Sequence, residues 1–152
     1  MKYSLILLSA ILVVACGGLT KEQQGTAYND AALKSDAAYE EAYATYGYGF
    51  DAATTESEVL QVLHDLFSAY AGASRQLIED LEGIAWTSDY VDTSARLISC
   101  RNEVYLLESE VLAATEFAEA DALADAALEK NSSCDSIGEE LRNLLGLEPI
   151  TD

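Results

Sequence analysis

The sequence predicts an all-α fold, an up-down-up-down antiparallel four-helix bundle, and three observations lead there. Apolar residues recur at alternating spacings of three and four through four segments, approximately 21–46, 55–84, 89–114 and 117–145. The composition is half apolar and carries a single proline, Pro149, so helices can run long without interruption. Two cysteines, Cys100 and Cys134, lie on the apolar stripes of the last two segments, nearly symmetric about Glu116 and Phe117. Four helices of this length, joined by short loops, make a bundle about 40 Å long.

The first helix opens on Thr20-Lys21-Glu22-Gln23, a capping box. Its apolar face reads Tyr28, Ala32, Tyr39, Tyr43 and Tyr46, and Gly47 is placed to terminate it. Residues 47–54 read as a loop. A second capping box, Thr55-Glu56-Ser57-Glu58, starts the second helix. Its stripe is Val59, Leu63, Leu66, Tyr70, Ala73, Leu77, Leu81 and Ile84, widened by Leu60, His64, Phe67, Ala71 and Ile78. Gly83 to Ser88, with Trp86 inside, forms the next turn, and Thr87, Ser88 and Asp89 are alternative N-caps for the third helix. That helix carries Tyr90, Thr93, Leu97, Cys100, Val104, Leu107, Val111 and Ala114. The fourth carries Ala120, Leu123, Ala127, Lys130, Cys134, Ile137, Leu141 and Leu144, with Gly146 and Leu147 closing it.

The join between the third and fourth helices contains no glycine or proline, only Thr115 as a possible N-cap, so one helix of some forty residues is the rival reading. The cysteines discriminate. In one straight helix they would lie about 50 Å apart. In a hairpin reversing near Glu116 they come within a disulfide's Cα separation of about 6 Å. A Cys100–Cys134 bridge is therefore expected, and with it the hairpin.

The first residues have a different character. Lys2 precedes an apolar run from Leu5 to Ala15, about half the length of a spanning helix but suited to a signal peptide. Val13-Val14-Ala15-Cys16 resembles a bacterial lipobox. The resemblance implies cleavage before Cys16, lipidation of its thiol, and anchoring on the extracytoplasmic side of a bacterial membrane. Residues 1–15 are then the cleaved signal, 16–20 a lipidated tether, and 21–152 a single helical domain. The closing segment Leu141-Arg142-Asn143-Leu144-Leu145-Gly146-Leu147-Glu148-Pro149, after two helices turning around Trp86, also resembles small helical bacterial lipoproteins over residues 60 to 149. That resemblance brings no activity with it.

Seven basic against 27 acidic residues remain after residue 15, a formal charge near −20. Such a surface repels nucleic acid and anionic head groups, which excludes a DNA- or RNA-binding role and a polybasic membrane signal. Chemistry is sparse. The only histidine, His64, has Gln61 three residues before it, so the Glu-x-x-His pair of di-iron bundles is missing. Neither Cys-x-x-Cys-His nor His-Glu-x-x-His occurs. Glu116, Glu119, Asp121, Asp125, Glu139 and Glu140 are spaced as solvated helix faces, not as an ion-wrapping loop. Ser132 and Ser133 have no glycine elbow, and Lys130 reads as a stem along the core with its amine outward.

No metal or cofactor and no enzymatic activity are expected. The expected function is a lipid-anchored, non-enzymatic module that binds or scaffolds another component of the cell envelope. The alternative is a carrier of small apolar ligands, with Tyr39, Tyr43, Tyr46 and Trp86 lining a pocket between helices. The competing account of those tyrosines is a core stripe whose hydroxyls reach the surface. A pocket of several hundred cubic ångströms between the first two helices would favour the carrier.

Overall fold

Both capping boxes form. Thr20 Oγ1 accepts from the Gln23 backbone N–H at 3.2 Å while Gln23 Oε1 accepts from that of Thr20 at 2.9 Å, starting α1 (Lys21–Tyr46). The structure, a computed structural model, describes residues 18–148; the signal segment, the lipobox with Cys16, and Pro149 lie outside those residues. Gly47 does not reverse the chain, as a left-handed terminator would. It stays right-handed at φ −57°, and the expected loop holds a single helical turn, α2 (Gly49–Ala52). This turn lies so close to the second long helix that a Cβ on Gly49 would sit 2.9 Å from Val62. Thr55 and Glu58 then cap α3 (Glu56–Glu82).

None of Thr87, Ser88 and Asp89 caps α4 (Val91–Ala113); its N-cap is Tyr90, whose N–H donates to the Thr87 carbonyl at 3.0 Å. Thr87 is instead taken by Gln24, which is fully buried. The Gln24 amide accepts from the Thr87 backbone N–H at 3.0 Å and donates to the Leu19 carbonyl at 2.8 Å. It thereby ties the start of α1 to the α3–α4 turn.

The chain reverses between α4 and α5 (Phe117–Leu145) through Ala114, Thr115 and Glu116, with extended backbone at Ala114 and Glu116. No side chain caps α5. The break needs no glycine because α3 secures it: His64 Nε2 lies 3.1 Å from the Ala114 carbonyl oxygen. The hairpin brings Cys100 and Cys134 to a Cα separation of 5.7 Å, bridged as a disulfide. The one-helix alternative is thereby excluded. At the far end Gly146 adopts φ 73°, and Leu147 N–H donates back to the Arg142 carbonyl at 3.0 Å, closing α5.

The described residues are all helical and turn, with no strand. In the bundle α1 packs on α3, α3 on α4 and α4 on α5, while α5 crosses diagonally to α3 and only brushes α1. The core has two parts. One surrounds the disulfide with Tyr28, Leu77, Leu81, Leu97 and Leu141; the other gathers Leu63, Leu66, Phe67, Tyr70, Val111 and Ala120.

Two predicted stripes shift. On α1 the buried positions are Gln24, Gly25, Tyr28, Ala31, Ser35 and Ala42, whereas Tyr43 and Tyr46 are exposed. Small side chains let α1 lie close on α3, and the bulky tyrosines rotate away. On α5 Leu145 is buried and Leu144 exposed, and Ala124 and Gly138 face the core where Leu123 and Ile137 are only half-buried. Lys130 keeps its stem along the bundle and pairs its amine with Glu103.

Candidate functional site

The sparse α1–α5 edge is closed at one end only. There the Tyr28 hydroxyl donates to the Gly138 carbonyl at 3.0 Å, Arg142 donates to Asn29 at 3.1 Å, and Gly25 lies against Leu147. Beyond this closure the helices part around a cavity of about 610 Å³, a volume usual for small-molecule sites. Its apolar wall comes from Phe67, Tyr70, Leu77, Leu97, Ala127 and Leu128. Asp36 and Glu40 of α1 face Asp135 and Glu139 of α5 around it.

Three polar groups at one end form a chain. The Tyr39 hydroxyl donates to Glu108 Oε1 at 2.9 Å and lies 2.5 Å from the Ser74 hydroxyl, which is then the donor to it. Ser74 is fully buried and Glu108 only 2% exposed. Glu108 Oε2 has no partner among the described residues. Burial pushes the Glu108 carboxyl up to about 7, against the pull of the Ser74 and Tyr39 hydroxyls and the Arg101 charge. Burial, followed by the Glu108 charge, raises the Tyr39 phenol well above the ordinary tyrosine value. The tilted Tyr39 and Tyr70 rings, with centroids 4.7 Å apart, and the Phe67 ring beside Tyr70 complete this end.

Two guanidinium groups follow along the cavity. Arg101 is two helical turns from Glu108 on α4, about 10 Å along the axis. It donates to Asn131 and, at 2.8 Å, to Asp135, leaving Nε without a partner. Arg142, 3% exposed, lies over the Tyr28 ring with its carbon 5.7 Å from the centroid. It donates to Asn29 and to the Glu148 carbonyl and leaves Nη2 without a partner. Burial also raises the Asp36 carboxyl, with Arg101 pulling it down and Asp135 pushing it up.

Of the four aromatics read from the sequence as a pocket, only Tyr39 lines this cavity. Tyr43 is 62% exposed, and Tyr46 also faces outward. Trp86 serves the α3–α4 turn, donating from Nε1 to the Leu81 carbonyl at 3.0 Å and packing edge-on against Tyr28. The cavity is lined from all four long helices, with Phe67, Tyr70, Leu77 and Leu81 of α3 at its back, rather than by the first two helices alone. Glu108, Arg101 and Arg142 escaped the sequence reading, although Glu108 carried a signal: it falls four after Val104 and three before Val111, squarely on the core row. Among the described residues no three His, Cys, Asp or Glu side chains are grouped to hold a metal ion. No described helix is long and apolar enough to cross a membrane. No family model, curated protein or solved structure matches the chain.

Proposed function

We propose that this chain is a non-enzymatic, lipid-anchored module of a bacterial cell envelope, whose domain carries a small, largely apolar molecule in the α1–α5 cavity. The supporting observation is a cavity of about 610 Å³ that buries polar atoms without giving them partners. A core built only for stability satisfies its buried polar groups, because each one left unmade costs about 1–3 kcal/mol. A ligand supplying the missing partners offsets that cost. Between the two roles read from the sequence, the cavity favours the carrier over the scaffold.

Val13-Val14-Ala15-Cys16 supports the anchor. In cells, Cys16→Ser is expected to abolish lipidation and lipobox processing. Mature wild-type protein partitioning into the aqueous phase of a detergent extraction would sink the anchor. Carriage is tested by Ala32→Trp, which places an indole among the lining residues from a half-exposed position. The variant is expected to fold as the wild type does and to lose binding of small aryl-alkyl compounds measured by calorimetry. Unchanged binding would show that the cavity is not the site.

A further inference from the structure

We infer that the cavity takes an amphipathic amine, a molecule with an apolar body and one protonated amino group, and that Glu108 Oε2 receives the ammonium. The inference rests on the carrier reading and specifies its ligand.

Glu108 is the buried charge-bearing group of the site that lacks a counterion. From α1 it meets the Tyr39 hydroxyl, with Glu40 on the lining beyond. From α3, Ser74 and the Tyr70 ring both lie against Tyr39 at this end, and the Ser74 hydroxyl adds to the pull on the carboxylate. On α5 the lining residues at this level, Ala127 and Leu128, are apolar. On α4 the nearest cation is Arg101, two turns away and already held by Asp135. The carboxylate thus has one oxygen occupied by Tyr39 and one without a partner, at the end of the cavity where the Tyr39 and Tyr70 rings meet.

The opposite choice, an anionic head on the arginines, fits less well. Both guanidiniums already have acceptors, Arg101 in Asn131 and Asp135 and Arg142 in Asn29 and the Glu148 carbonyl. Asp36, Glu40, Asp135 and Glu139 on the lining add negative potential. The whole chain carries a net charge of −19, so its field draws cations in and holds anions off.

Because burial pushes the Glu108 carboxyl up to about 7, part of it is protonated at neutral pH. An ammonium seated on Oε2 requires the carboxylate, so binding near pH 7 releases protons, and less so as pH rises. That release distinguishes a buried ion pair from an amine held loosely on an acidic surface.

The test compares three probes with one aryl-alkyl body: phenethylamine, 2-phenylethanol and 3-phenylpropanoate. Each is titrated calorimetrically into mature protein at 0.3 M salt, in two buffers of different ionisation enthalpy, with detergent alone as the blank. Phenethylamine is expected to bind roughly tenfold or more tighter than 2-phenylethanol, the margin of one charge-assisted hydrogen bond. It should release protons on binding at pH 7, and fewer at pH 9. Glu108→Gln should abolish both the release and the margin, bringing phenethylamine down to the level of 2-phenylethanol in the same variant. Equal binding of amine and alcohol would overturn the amine assignment and leave the carrier reading standing. Tighter binding of the carboxylate would do the same and move the head group to the arginines. Amine binding without proton release, or unaltered in Glu108→Gln, would overturn the role of Glu108. Binding of none of the three would count against the carrier reading itself.

Discussion

The α4–α5 pair and the α1–α5 pair are both antiparallel neighbours in the same bundle, yet they are built by opposite means. The first is clasped by the Cys100–Cys134 disulfide and laced by Arg96–Glu140, Arg101–Asp135 and Lys130–Glu103. The second meets at one end, through Tyr28 on Gly138 and Arg142 on Asn29, and parts around a cavity at the other. The difference begins in side-chain size. The buried apolar residues of α1 are Tyr28, Ala31 and Ala42, whereas α3 buries Leu63, Leu66, Phe67, Tyr70, Leu77, Ile78 and Leu81. A helix that buries little apolar area gains little from docking, so α1 is the element the fold can most easily let breathe. Rigidity on one side lets the other stay adjustable without unfolding the whole.

Removing the disulfide attacks this contrast most strongly. Closing a loop with a sequence separation of 34 stabilises by about 3–4 kcal/mol in the chain-entropy model. Cys100→Ser with Cys134→Ser is expected to lose about that much in urea unfolding, a large share of a typical domain's 5–15 kcal/mol. Two free thiols in the native, oxidised protein would remove the clasp from the comparison altogether.

The next effect belongs to the open side. Glu108 titrates at about 7 in the folded chain against an ordinary 4.5, so the folded state binds the extra proton between those values. The stability it contributes is therefore complete below pH 4.5 and lost as pH rises through 7, about 3 kcal/mol across the interval. Glu108→Gln is expected to lack this component, so that at pH 8 its unfolding free energy exceeds the wild type's relative to the difference at pH 4. Parallel pH profiles for the two proteins would refute it.

Tyr28→Phe loosens the closed end of the α1–α5 edge. Losing its bond to the Gly138 carbonyl should cost about 1 kcal/mol. Hydrogen exchange should quicken in α1 before it does in α4 or α5. Uniform acceleration through all helices would mean that α1 is no separate unit. The smallest effect is on the clasped side: Arg96 and Glu140 are both half-exposed, so Arg96→Ala should stay within about 0.5 kcal/mol of wild type. A loss near that of the double cysteine variant would show that surface pairs, not the disulfide, hold α4 to α5.

The fold was legible from the sequence where large apolar residues set the period and polar residues set the ends. Leu63, Leu66, Tyr70, Leu77 and Leu81 face inward as read, both capping boxes form, and the cysteine symmetry located the α4–α5 reversal that His64 then secures. On α1 the reading failed because alanine and serine carry so little apolar signal that the tyrosines dominated the pattern. The true buried face follows Tyr28, Ala31, Ser35 and Ala42, where close approach to α3 matters more than hydrophobic bulk. The candidate site was nearly invisible. Its defining atoms belong to charged residues, Glu108 and Arg142, that stand on core rows, and a charged residue on such a row is ordinarily read as snorkelling outward. Only the packed structure reveals that these two are enclosed.

The Gln24 amide has a mechanical consequence. The peptide entering the domain at Leu19 is gripped through its own carbonyl by a side chain that also holds the Thr87 backbone of the α3–α4 turn. A pull applied at Leu19 therefore loads two bonds together and spreads into that turn, instead of peeling α1 away one residue at a time. Substituting Gln24 by leucine would keep the bulk and remove the grip. Under tension from the N-terminus, α1 should then unzip at lower force, while the hairpin of α4 and α5 bears load as before.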